Sequence, residues 1–73
     1  MCDFMEKKEV LDTIKFLRED LELELGLESK YLNLLLAIGD REIKMKIIEM
    51  LGDISSHSVR LVKMIHELEK SLL

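Results

Sequence analysis

The sequence predicts an all-α fold: a long antiparallel two-helix hairpin, with helices at about 4–38 and 41–72, that self-associates as a dimeric four-helix bundle. Three observations lead there. The 73-residue chain has no proline and only three glycines, so helix-breaking chemistry is scarce. Apolar residues recur at helical spacing along almost its whole length. The first of the two segments is apolar on both sides, which a single neighbouring helix cannot cover.

The first helix begins with Asp3, an N-cap residue, with Glu6 three positions on as a capping-box partner. One stripe then runs through Val10, Ile14, Leu17, Leu21, Glu24, Glu28, Tyr31, Leu35 and Ile38. The opposite side carries Phe16, Leu23, Leu27 and Leu34, also at helical spacing. These four are the expected oligomer interface, because a helix apolar on two sides is sandwiched between neighbours and a hairpin supplies only one. Gly26 within this helix marks a bend, a close helix contact or a tolerated interior glycine.

The break comes at Gly39-Asp40, read as a left-handed C-terminal stop followed by a fresh N-cap, with Glu42 complementing the next helix dipole. Two helices of nearly equal length joined so tightly fold back on each other, each about 50 Å long at 1.5 Å per residue. The second helix shows a seam of Ile43, Ile47, Met50, Ile54, His57, Leu61, Met64 and Leu68, flanked by Ile48, Leu51, Val62, Ile65 and Leu72. Polar residues fill its other side. Gly52, like Gly26, marks a bend, a close helix contact or a tolerated interior glycine, and the serines beside it are read as small residues permitting close helix approach.

Composition excludes several functional classes. The chain is 48% hydrophobic and 36% charged, a folded composition for a single domain spanning 1–73. Fifteen acids against 11 bases give a net charge of −4, which argues against nucleic acid as a partner. The longest apolar run, residues 34–38, is too short for a bilayer. Asp3 and Glu6 stand where a secretion signal would be basic and then apolar. Cys2 is the only cysteine, so no disulfide closes within the chain, and a lone thiol fits a reducing, cytoplasmic setting. A domain this small barely offsets its chain entropy, a further reason to expect a partner.

The residues able to carry chemistry are few. Glu24 and Glu28 fall inside the apolar stripe, with Tyr31 on the same side, and pairing around the turn brings Glu24 within about a turn of His57. Buried carboxylates require partners, so Glu24, Glu28 and His57 are candidate ligands for a weakly held divalent ion. The plainer alternatives are carboxylates at the stripe's edge in water, a boundary histidine bonded to a carbonyl or carboxylate, and a tyrosine whose hydroxyl reaches solvent. His66 lies too far along the helix to join His57 on one ion. Ser55, Ser56 and Ser58 have no nucleophile arrangement, and neither a glycine-rich phosphate loop nor a paired-cysteine site is present, so no enzyme is expected.

Glu24 with Tyr31 seven residues later, the Asp40, Glu42, Lys44 stretch after the turn and a mid-helix His57 resemble one half of a rubrerythrin-type, ferritin-like protein. The resemblance covers roughly 20–68. It implies a first-helix glutamate, Glu24, and a Glu-x-x-His histidine, His57, as ligands of a di-iron centre, with Tyr31 nearby. The sequence departs from that pattern at Ile54, which stands where the family has its bridging glutamate. The expectation is therefore a ferritin-like hairpin without a competent di-iron centre and without a bound cofactor. Its partner is a second copy, or another helical protein. Two alternatives stand beside this non-enzymatic structural or interaction module: a small metal-binding bundle, and an RNA-regulating hairpin dimer. The last needs a basic row, yet Lys44, Lys46, Arg60 and Lys63 are interspersed with Glu49 and Glu67.

Overall fold

A computed structural model describes residues 6–73 of the chain. Two helices, α1 (Lys7–Ala37) and α2 (Arg41–Ser71), lie antiparallel in a rod of 51 × 16 × 15 Å. The all-α hairpin and the length of its arms match the sequence expectation. Cys2, Asp3 and Phe4 fall outside the described residues, so the Asp3 cap does too; Glu6 holds the N-cap position of α1 with extended backbone and no side-chain cap bond.

The turn differs from expectation on one side and agrees on the other. No described residue has a positive φ, so Gly39 is not a left-handed stop. Instead the chain leaves α1 through Ile38, whose backbone is extended at φ −93°, ψ 135°, while its N–H still bonds the Leu34 carbonyl. Ile38 closes the apolar stripe of α1 and stays half-buried, so packing rather than glycine chemistry sets the exit. On the other side Asp40 caps α2 as expected: its Oδ1 accepts from the Ile43 N–H at 3.0 Å.

The stripe read on α1 is the buried one. Val10, Ile14 and Leu17 are buried, and Leu21, Glu24, Glu28, Tyr31, Leu35 and Ile38 are half-buried along the same line. The line read on α2 needs correction. Ile47, Ser58, Leu61, Ile65 and Leu68 are buried, whereas Ile43, Met50 and Met64 are exposed. With half-buried Leu51, Ile54 and Leu72, the true row alternates steps of four and three, as does the row on α1. Two such rows packed together are an antiparallel coiled-coil seam.

Val10, Ile14 and Leu17 cluster with Leu61, Ile65 and Leu68, and Leu21 and Leu72 pack against them. This core sits at the open end of the hairpin, away from the turn. Matching the rows from there sets Glu24 level with Ser58, nearly a turn further along α2 than the turn-based pairing implies. Gly26 and Gly52 do not mark close helix contacts: a Cβ built on either meets nothing within 4 Å. Among the described residues no helix is long and apolar enough to cross a membrane.

Candidate functional site

Polar residues interrupt the seam halfway along the rod, where α1 contributes Glu24 and Glu28 and α2 contributes Ser58. Each meets a different surrounding. His57 Nδ1 donates to Glu24 Oε1 at 2.9 Å, joining the helices across the seam. The Glu24 side chain is only 18% exposed and the His57 ring 41%. His57 is thus a boundary histidine bonded to a carboxylate, and Glu24 is not an edge residue spreading into water. The bond arises because the row on α2 runs through Ser58, which turns the preceding residue, His57, toward one flank of the seam where Glu24 can reach it.

Glu28, one turn on from Glu24, faces the other flank. It lines a groove of about 460 Å³ together with Leu21, Leu25, Ser55, Val59 and Val62. The pairing of Glu24 with His57 expected from the sequence is therefore present, but Glu28 does not join it. Among the described residues no three His, Cys, Asp or Glu side chains gather as a metal cluster. Tyr31 is half-buried in the seam, and His66 is exposed.

Ser58 also borders the groove. Its residue is 8% exposed, and its Oγ has no hydrogen-bond partner among the described residues. From the sequence Ser58 reads only as one of several small residues permitting close helix approach, because the seam is drawn through His57 instead; the steps of four and three from Leu51 and Ile54 are what place it in the buried row. Small side chains at Ser55 and Ser58, opposite Leu21 and Leu25, leave the groove open where leucine or isoleucine fills the seam elsewhere.

The four residues expected at an oligomer interface stand in solvent in the single chain. Phe16 is 67% and Leu23 70% exposed, and Leu27 and Leu34 are exposed as well. They are not alone. Leu25, Leu32, Ile48, Val59 and Val62 are exposed on the groove side. Near the open end of that same side, Arg18 forms an ion pair with Glu69.

Comparison with family models, with characterised proteins and with solved structures finds no match for this chain.

Proposed function

We propose that this chain is a non-enzymatic, self-associating helical module with a structural or protein-interaction role, its hairpins pairing into a four-helix bundle. The observation that carries this reading is the row of exposed leucine, isoleucine, valine and methionine on each flank of the seam. Isolated surface leucines need no explanation, but rows of them at helical spacing along a rod mark a surface made to be covered. The extent of surface supports the same reading. The chain exposes 5920 Å², against about 4,650 Å² for a compact monomer of 8.5 kDa. Its buried apolar cluster lies at one end, with Ile47 the one buried apolar residue among the described residues toward the turn, so covering a flank supplies apolar burial that the middle and the turn end have little of.

Light scattering behind gel filtration tests this directly. The expected mass is twice that of the chain or more at micromolar concentration. A fully helical species of single-chain mass would refute self-association.

A ferritin-like metal-binding bundle is the second reading, favoured by the Glu24–His57 contact alone. The residues present do not fit a di-iron centre. The position one turn before His57 is Ile54, whose alkyl side chain cannot bridge two metals, and Glu28 opens onto the opposite flank.

A further inference from the structure

On the His57 side of the seam, the outer row of α2 is Lys46, Asp53, Arg60 and Glu67, recurring every seven residues with alternating sign. All four are exposed, and none has an ion-pair partner among the described residues. Such a row is its own electrostatic complement: laid against a reversed copy of itself, it meets the opposite sign at every position. Beside it on the same side lie Met50 and Met64 of α2, and Phe16, Leu23, Leu27 and Leu34 of α1, all exposed.

We infer that a second copy of this chain docks on the His57 flank about a two-fold axis perpendicular to the rod, α1 against α1 and α2 against α2. Lys46 of each copy then faces Glu67 of the other, and Asp53 faces Arg60. This inference rests on the self-association proposed above and gives it a surface and a register. The axis passes α2 midway between Asp53 and Arg60. Because Glu24 is level with Ser58, it passes α1 between Leu25 and Gly26. The same axis brings Phe16 level with Leu34 of the other copy, Leu23 with Leu27, and Met50 with Met64, each to within about 1.5 Å, one residue's rise. One operation thus serves the charged row and the apolar rows together. The flank, 51 Å long and 16 Å wide, amounts to roughly 800 Å² per copy, the size that stable interfaces use.

Other arrangements lack this match. Sliding one copy by seven residues sets Asp53 against Asp53 and Lys46 against Arg60, or Arg60 against Arg60 and Asp53 against Glu67. Crossing α1 over α2 instead sets Arg60 and Glu67 level with Leu23 and Phe16. On the groove flank the outer row of α1 carries Lys15, Glu22 and Ser29, and an axis at the same level sets Glu22 opposite Ser29 and Lys15 opposite Leu36. Opposite charges meet there only after the axis moves about 10 Å toward the open end, which leaves more of each rod uncovered. Like charges in contact oppose binding, so the alternating row sets partner and register while the apolar rows supply the affinity.

Charge swaps read the register directly. Arg60→Asp and Asp53→Arg each set like charges face to face, and each should raise the dimer dissociation constant at least about tenfold at low salt. The doubly swapped chain should recover to within about threefold of the unmodified one, because Asp53 and Arg60 lie two turns apart on α2 and only a second copy brings them together. No effect from either single swap, or losses that simply add in the double variant, would overturn the register. Cross-linking reads the flank whether or not the swapped chains fold. In a Cys2→Ser background, Leu27→Cys should be joined to a covalent dimer by a short bismaleimide. Leu25→Cys, close to the same level on the groove flank, should stay at single-chain mass. No covalent dimer through Leu27→Cys, or an equal yield through Leu25→Cys, would overturn the assignment to this flank while leaving self-association intact. Single-chain mass for the unmodified protein would overturn both.

Discussion

Glu24 and His57 are joined across the two helices by a 2.9 Å hydrogen bond, and the carboxylate lies deeper in the seam than the ring. The consequence is an asymmetry between the two partners. His57→Ala strands a largely buried carboxylate and should cost about 1–3 kcal/mol of stability. Glu24→Leu instead fills a seam position with the residue type its neighbours use and leaves a half-exposed imidazole that water can serve. It should be neutral or stabilising, as replacement of buried polar pairs by packed aliphatics often is. Urea unfolding of the two variants checks the order; a larger loss from Glu24→Leu would show that the pair contributes more than its desolvation costs.

Ser58 makes a simpler case. Its hydroxyl is buried without a partner among the described residues, so Ser58→Ala removes a desolvated polar group and creates almost no cavity. The expected change is a gain of about 1 kcal/mol, read as a higher urea midpoint at unchanged slope. A loss of stability would mean that the hydroxyl finds a partner in the assembled protein.

How much of this could be seen in the sequence depends on the contrast between neighbouring rows. On α1 the buried row was legible because polar residues flank most of it: Asp12 and Thr13 beside Ile14, and Arg18 and Glu19 after Leu17. On α2 the pairs Ile47–Ile48, Met50–Leu51 and Met64–Ile65 are equally apolar, and the pattern alone cannot choose between adjacent rows. The choice is made by the opposing helix, whose steps of four and three must be met in register, and that brings in Ser58 and Ile65 and releases His57 and Met64. The turn was half legible. Asp40 caps by local chemistry, whereas the extended Ile38 answers to packing at the end of the seam. The Glu24–His57 contact was foreseeable from spacing, but the divergence of Glu28 follows from the seam running between the two glutamates' directions.

Helix glycines offer a test free of tertiary complications. Gly26 and Gly52 have helical backbone and open space where a Cβ would go. Gly26→Ala and Gly52→Ala should each stabilise by about 0.5–1 kcal/mol, and together the gains should roughly add because the sites share no neighbour. The opposite effect at Gly52, which lies on the row beyond the groove, would point to a close approach by another chain at that position. Comparing both substitutions above and below the assembly concentration separates the two causes.

At the start of α2, Asp40→Ala removes the side chain that accepts from the Ile43 N–H and should cost about 1 kcal/mol. The loss should appear first as faster amide exchange at residues 41–44, since the core cluster lies at the far end of the rod. Uniform exchange changes along both helices would show the cap to be coupled to the whole seam.

Metal content is where the family resemblance and the residues disagree most. Within one chain the ligand set stops at Glu24 and His57, which already satisfy each other, and Glu28 faces the groove. Supplying a carboxylate from Asp53 would require turning α2 by about 100°. That rotation would draw Ile47, Leu61 and Ile65 out of the seam, at roughly 2–5 kcal/mol for each lost aliphatic contact, by analogy with large-to-small core substitutions. A weakly held ion returns less than this. Untagged protein should therefore contain fewer than two irons per four-helix assembly by elemental analysis, and ferrous oxidation should proceed no faster with it than with Glu24→Ala. Two irons per assembly, with oxidation lost in that variant, would mean that ligands from a second chain complete the site despite Ile54.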